Sequence, residues 1–251
     1  MSTRLADLPG LGPVVQGRVA PAGAPDLAVL DPLERPRSAA DYAFGRLRGA
    51  IISLALPPGT LLGRAAIAAR LGVSQTPVRE AMIRLQEESL IEVVPHSATR
   101  VSRIDLENAR RAHFLRLAVE LEVVRTMAAA PAPETVERLR AELAGLGELL
   151  ARGDLAGFAA ADEEFHGVLY AAAEVPELWD LVRSRSGHLD RLRRLHLPSP
   201  GKAEAILREH ELLTEAIIGR DAQRAERRLR HHLSGTFAEA GEIRRAHPEF
   251  F

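Results

Sequence analysis

Four residues that can bind a metal interrupt rows of apolar side chains in the C-terminal half of the chain. Asp162 lies in the apolar row of one predicted helix, and His166 follows it by one turn on the same side. His210 and His232 interrupt the corresponding rows of the last two predicted helices. An isolated buried carboxylate is costly unless it is paired or binds a cation. Three imidazoles and one carboxylate suit a divalent transition metal, namely Zn, Ni, Co, Fe or Mn.

The helical register predicts that these four groups lie together. The stretch Gly219–Asp221 predicts a turn between two antiparallel helices. His210 lies nine residues before this turn and His232 lies eleven residues after it, so the two are nearly level at a rise of about 1.5 Å per residue. One histidine in such a row is more simply a hydrogen-bonded core residue. Four polar groups in one register favour a metal site.

A second constellation lies in the stretch GVSQTPVREA, residues 72–81. Gly72 can adopt the left-handed conformation that ends one helix, and Ser74 can cap the next helix. Pro77 falls in the first turn of that helix, where a missing N–H costs little. The spacing therefore predicts two helices joined by a tight turn.

The second of these helices has one packed face and one free face. Apolar residues recur at spacings of four and three over residues 78–85. The opposite face presents Gln75, Thr76 and Arg79, and such a face at the N-terminal end of a packed helix suits a DNA major groove. The turn by itself fits an ordinary helical hairpin with a solvated face equally well.

A predicted wing and the local charge favour DNA binding over that alternative. Two β-like runs, residues 91–94 and 99–103, predict a hairpin directly after the helix. Residues 37–104 hold nine arginines against five acids, an excess of four positive charges. The unit is therefore predicted to be a winged helix-turn-helix.

The elements that position these groups are mostly helical. Residues 1–36, rich in proline, glycine and alanine, are predicted to form a disordered arm. The winged helix-turn-helix is expected over residues 37–104. An antiparallel bundle of about six helices without strands is expected over residues 105–245. The predicted fold class is mainly α, with one small β-hairpin.

The composition excludes several classes of protein. The chain has no cysteine, which excludes disulfides and thiolate metal sites. No apolar run reaches the length that spans a membrane, and the N-terminus lacks a signal-peptide pattern. A cytoplasmic protein with no membrane partner is expected.

The stretch PPGTLLGRAAIAARLGVSQTPVREAMIRLQEESLIEVVPHSATRV resembles the DNA-binding domain of the GntR family of bacterial transcription regulators. The resemblance covers about residues 38–104. It departs from the family pattern at Gln75 and Ser97, where arginine is common, and at Arg64, where glutamate is common. It implies groove and phosphate contacts from the recognition helix, and a wing around His96 that touches the minor groove or the backbone. The full set expected at DNA is Arg48, Arg64, Ser74, Gln75, Thr76, Arg79, Arg84, His96 and Ser97.

The helical region that follows resembles the FCD effector domain of the FadR subfamily over roughly residues 106–243. The motif DEEFH, the pair EH at Glu209-His210 and the pair HL at His232-Leu233 carry this resemblance. It implies a metal held by one Asp and three His, whose open positions receive a small organic acid. The predicted effector-binding residues are Arg116, Glu120, Arg191 and Arg193. Arg116 is either a carboxylate clamp or the partner of Glu120 in an intrahelical ion pair.

These patterns predict a homodimeric regulator that binds an inverted-repeat operator in double-stranded DNA. A small carboxylate effector at the metal site is expected to shift its DNA affinity. One rival is a metalloenzyme, because the same ligands could activate water. We predict no enzymatic activity, since no separate general base is placed beside the site. The other rival is a purely structural metal site with a closed coordination sphere.

Overall fold

The computed structural model describes residues 38–93 and 98–251. The predicted arm, residues 1–36, lies outside the described residues, and so do His96 and Ser97. The described part confirms the predicted fold class, with a small winged helix-turn-helix before an all-helical bundle. None of its helices is long and apolar enough to cross a membrane.

Three helices and two short strands form the N-terminal domain: α1 (Ala39–Ile52), α2 (Arg64–Leu71), α3 (Gln75–Glu87), β1 (Ile91–Val93) and β2 (Thr99–Val101). Helix α1 begins after Ser38, whose hydroxyl accepts the N–H of Asp41 while the Asp41 carboxylate accepts the N–H of Ser38. The two strands pair antiparallel, with Glu92 opposite Arg100. The predicted hairpin is therefore present.

The turn between α2 and α3 follows the sequence signals, with one exception. Gly72 has a φ of 68° and ends α2 in the left-handed conformation. Ser74 occupies the N-cap position of α3, but its side chain makes no capping hydrogen bond. The apolar face of α3 is buried through Val78, Met82 and Leu85. This packing leaves the opposite face of α3 to solvent.

The described residues from 106 onward form eight α-helices and a short 3-10 helix rather than about six helices: α4 (Leu106–Ala129), α5 (Pro133–Ala151), α6 (Leu155–Ala172), α7 (Pro176–Arg185), α8 (Gly187–His196), α9 (Lys202–Ile218), α10 (Ala222–Ala238), α11 (Ala240–Ala246) and Pro248–Phe250. The additional breaks fall at Ser186 and Glu239. At the first break, a Cβ on Gly187 would lie 2.7 Å from Leu90 of the N-terminal domain. The break at Ser186 thus lies where the chain passes the other domain, a contact that local sequence does not reveal.

Helix α8 also makes hydrogen bonds with the segment that links the two domains. Arg191 donates from NH2 to the carbonyl of Ser102 at 2.7 Å. The N–H of Asp105 donates to Nδ1 of His188 at 3.0 Å, and Nε2 of His188 lies 3.0 Å from the carbonyl of Ser89. The bundle therefore holds both the domain linker and the end of the recognition-helix segment.

Candidate metal centre, cavity and nucleic-acid interface

The structure brings together the four residues that the register singled out. Asp162 and His166 come from α6, His210 from α9 and His232 from α10. One ligand atom from each lies within 4.8 Å of all the others. Nε2 of His232 is 3.2 Å from Nε2 of His166 and 3.2 Å from Nε2 of His210. Oδ1 of Asp162 is 3.5 Å from Nε2 of His210.

This donor set fits a divalent transition metal. Two nitrogens bound to one ion at about 2.0–2.1 Å lie roughly 3 Å apart, close to the separations here. Burial lowers the pKa of His210 to about 3 and also lowers the pKa of His166 and His232. The three imidazoles are therefore neutral near pH 7 and keep lone pairs for a metal. Oδ1 of Asp162 is buried without a hydrogen-bond partner among the described residues, a cost that a cation would relieve.

A buried ion pair on α4 orients His166. Nδ1 of His166 lies 2.9 Å from Oε2 of Glu120, and Nε of Arg116 donates to Oε1 of Glu120 at 2.6 Å. Burial raises the pKa of Glu120, but Arg116 and His166 outweigh it and hold that pKa at about 2. The charged carboxylate favours a proton on Nδ1 of His166, which leaves Nε2 to face the other ligands.

This arrangement changes the interpretation of two predicted effector residues. Arg116 and Glu120 form the intrahelical ion pair, one of the two alternatives that the sequence left open. Arg116 also lines a cavity of about 20 Å³ beside His232, a space that holds little more than a water molecule. Glu120 contacts His166 and does not line the larger cavity.

Asp162 is shared between the histidine cluster and a cationic neighbour. Its Oδ1 faces the histidines, whereas its Oδ2 accepts a hydrogen bond from NH2 of Arg193. Burial raises the pKa of Asp162, but the positive charge of Arg193 outweighs it and holds the pKa well below its usual range. The carboxylate is thus ionised and is held by Arg193 through Oδ2.

A cavity of about 210 Å³ opens beside Asp162. Its volume is about ten times that of the small cavity beside His232 and is enough for a small organic molecule. Five cationic residues line it against three acids. The cationic lining is Arg48, Arg183, Arg193, Arg194 and Lys202. This charge balance favours an anionic occupant.

Only one of the two remaining predicted effector-binding residues lines this cavity. Arg193 lines it, as the sequence analysis expected. Arg191 does not line it, because its guanidinium is buried against the carbonyl of Ser102. We therefore correct the assignment of Arg191 to the effector site, because its side chain binds the domain linker instead. Lys202 and Arg194 also line the cavity and were not predicted, because no helical register marks them and they meet only where α8 and α9 face the cavity.

The predicted DNA-contacting residues divide into two groups. Ser74, Gln75, Thr76 and Arg79 are exposed at the N-terminal end of α3, and Arg64 is exposed at the start of α2. A cluster of short polar groups and a cation at the exposed end of a packed helix is the arrangement that enters a major groove.

Two other arginines from the predicted set have intramolecular partners. NH1 of Arg84 donates to Oδ1 of Asp41 at 2.7 Å, and the guanidinium of Arg84 lies 3.8 Å from the ring centre of Phe44. Nε of Arg48 donates to Oε2 of Glu88 at 2.7 Å, and Arg48 lines the cavity. We correct the assignment of Arg48, since its side chain points into the protein and away from a DNA-binding face.

Comparison with known proteins identifies the family. Residues 39–101 match the family model described as bacterial regulatory proteins, gntR family, and residues 112–235 match the FCD domain. An HTH-type transcriptional regulator in an unstable DNA locus of Streptomyces ambofaciens is 36% identical over 206 residues, covering 82% of this chain and 86% of that protein. The chain belongs to the GntR family. It is a DNA-binding transcriptional regulator of that family and carries an FCD domain.

Two further comparisons agree with membership of the GntR family. The HTH-type transcriptional repressor RspR of Escherichia coli K12 is 29% identical over 205 residues, covering 82% of this chain and 90% of RspR. The solved structure of E. coli McbR/YncC has a TM-score of 0.71 and 22% identity, covering 82% of this chain and 98% of that one. At that identity, the likeness to McbR concerns the fold alone.

Proposed function

We propose that this GntR-family regulator holds a divalent transition metal at Asp162, His166, His210 and His232, and that a small organic acid binds in the adjoining cavity and changes operator affinity. The supporting observation is that Asp162 belongs both to the histidine cluster and to the cavity wall. A bound metal would supply a Lewis-acidic contact for a carboxylate.

The chain's own residues account for selectivity towards an acid. Arg193 and Lys202 bring positive charge to the cavity next to Asp162. Arg116 and Glu120 hold the ring of His166 in place, so the ligand set is preorganised. An acid that binds one arrangement of the two domains more tightly shifts the protein towards it, and DNA affinity changes by linkage.

The DNA-binding part of the proposal rests on the exposed end of α3. Ser74, Gln75, Thr76 and Arg79 would contact base edges and phosphates, with Arg64 nearby on the phosphate backbone. One recognition helix reads only a few base pairs, so we propose a homodimer on an inverted repeat. Regulation of chromosomal DNA in a bacterium implies a cytoplasmic protein, and no enzymatic activity is part of the proposal.

A purely structural metal site is the second candidate. It is favoured by Arg193, which already binds the second carboxylate oxygen of Asp162 and reduces the room for an exchangeable ligand. Under this alternative, metal loading alone would control folding and DNA binding, and no acid would bind beside the ion.

Metal analysis combined with a thermal-shift screen of small carboxylic acids at constant ionic strength tests the proposal. We expect about one ion per chain and at least one acid that raises Tm in the metal-loaded protein but not in the chelated protein. Arg193→Gln should reduce that shift. Metal without any response to acids would favour the structural site, and purified protein that binds no transition metal would contradict both.

A further inference from the structure

Helix α1 of the DNA-binding domain forms one wall of the cavity beside Asp162. Arg48, Gly49, Ile52 and Ser53 line the cavity together with residues of α6, α8 and α9. A molecule in this cavity therefore touches the DNA-binding domain and the bundle at the same time.

Arg48 connects this wall to the recognition helix. Its side chain is only 14% exposed, and its Nε donates to Oε2 of Glu88 at 2.7 Å. Its NH2 donates to the carbonyl of Arg183 in α7 at 2.5 Å. Glu88 is the C-cap residue of α3. One guanidinium thus joins α1, the end of the recognition helix and the bundle.

Cations line the cavity from both domains, since Arg48 belongs to α1 whereas Arg193 and Lys202 belong to α8 and α9. Arg193 and Lys202 also line the small neighbouring cavity beside His232, whereas Arg48 does not. Burial lowers the pKa of Lys202. The apolar side chains of Ile52 and Ile206 also contribute to the wall. This distribution fits an acid with two anionic groups and a short apolar spacer.

Besides Arg48, two other arginines that line the cavity already pair with carboxylates. Arg183 pairs with Glu163 at 3.1 Å, and Arg193 pairs with Asp162. Arg48 differs because its partner, Glu88, belongs to the recognition-helix segment. A ligand carboxylate can accept the same charge-assisted hydrogen bond from Arg48 that Glu88 accepts. Replacement of Glu88 by the ligand would leave the guanidinium satisfied.

We propose that one anionic group of a small dicarboxylate competes with Glu88 for Arg48, and that this exchange carries effector binding to the recognition helix. The inference rests on the proposed function, namely that an acid occupies the cavity beside Asp162. Loss of the Arg48–Glu88 ion pair removes one of the two ion pairs that hold the C-terminal end of α3 to α1, the other being Arg84–Asp41, and so changes how α3 is presented to DNA.

Calorimetric titration of the metal-loaded full chain with malonate, succinate and glutarate, each compared with its monocarboxylate counterpart, tests the exchange. For the tightest dicarboxylate, we expect Arg48→Gln to weaken binding by about tenfold or more, because a hydrogen bond between charged groups is lost. Glu88→Gln should tighten binding several-fold, since the competing carboxylate is gone. Arg46→Gln removes the same charge from an exposed position on α1 and should leave the affinity unchanged.

The second measurement is the affinity for operator DNA. The operator is first selected from a random DNA pool with the wild-type protein. Without any acid, Glu88→Gln should shift DNA affinity in the same direction as the acid shifts the DNA affinity of wild type. Adding the acid to Glu88→Gln should then have little further effect on DNA affinity. Arg48→Gln leaves Glu88 buried without its partner. If this single variant fails to fold, the double variant Arg48→Gln/Glu88→Gln replaces it in both measurements.

Equal acid affinity in wild type and in the folded Arg48 variants would overturn this inference alone. Failure of every acid to bind wild type would overturn the proposed effector site and the inference with it.

Discussion

At the scale of single residues, His231 and His232 show how one helical step separates two identical side chains. His232 joins Nε2 of His166 and Nε2 of His210 at 3.2 Å. The side chain of His231 is 75% exposed and lies 3.6 Å from a carboxylate oxygen of Glu209. The difference follows from the turn of about 100° between successive residues of a helix.

The variants His232→Ala and His231→Ala therefore form a matched pair. We expect His232→Ala to lose most of the bound metal and to lower Tm, because three ligands bind more weakly and Asp162 loses compensation for its buried charge. His231→Ala should keep the metal content of wild type. Metal content measured on both purified variants checks this, and equal occupancy in the two would contradict the proposed site.

Glu120 offers a second test at the residue scale, because its carboxylate faces the proposed metal ligand His166. Glu120→Gln keeps the shape of the side chain but removes the charge that faces Nδ1 of His166. We expect metal affinity to fall about 10–100-fold, the usual effect of losing such a partner. Glu122→Gln, on the same helix but exposed and paired with Arg125, is the control. Competition with a metal-binding dye measures both, and similar affinities would remove Glu120 from the site.

At the scale of elements, α3 combines a buried apolar face with an exposed polar end. Val78, Met82 and Leu85 anchor it, whereas Gln75 and Arg79 remain accessible. Substitutions on the exposed face should therefore change DNA binding without changing the fold.

Arg79→Ala should abolish specific operator binding while Tm stays close to wild type. Each lost base contact costs roughly 1–3 kcal/mol, and the proposed dimer would lose two of them. Arg152→Ala, an exposed arginine of the bundle, controls for the general loss of positive charge. Binding assays at fixed salt measure the effect, and wild-type affinity in Arg79→Ala would refute the recognition-helix assignment.

Helix α8 is one of the elements that contact the N-terminal domain, and its contact through His188 depends on pH. Burial, with a contribution from Arg191, lowers the pKa of His188 to about 4. The unfolded chain binds the proton near pH 6.5, so between about pH 6.5 and 4 it holds more protons than the folded chain. Stability from this contact is complete above that window and is lost as the pH falls through it.

The variant His188→Gln tests this pH dependence. It should be less stable than wild type at pH 8, because Asp105 loses its acceptor, and it should lose less stability between pH 6.5 and 4. Urea denaturation at several pH values provides the measurement. Parallel pH profiles for the two proteins would show that His188 does not titrate as proposed.

At the scale of the whole molecule, the proposed metal site lies where α4, α6, α9 and α10 meet. Glu120 comes from the first of these helices, and the four ligands come from the other three. A metal here would stabilise the bundle by mass action, because the unfolded chain does not bring the ligands together.

Removal of the metal with a chelator should therefore lower Tm and abolish any thermal shift caused by acids. At a free metal concentration about a hundredfold above Kd, the loss of stability is about 2.7 kcal/mol. Restoring the metal should restore both properties, as scanning calorimetry can show. An acid response that survives chelation would place the effector site away from the metal.

The sequence by itself determined the mainly α fold, the helix-turn-helix with its wing, and the register of Asp162, His166, His210 and His232. These features follow from local rules, since the helical period fixes which residues share a face and glycine or proline marks the turns. Only the tertiary structure placed Arg48 in the cavity and Arg191 on the linker, and only it brought Lys202 and Arg194 to the same wall. Their positions depend on how α1, α8 and α9 pack across two domains, and periodicity along one helix carries no information about the neighbour that it meets.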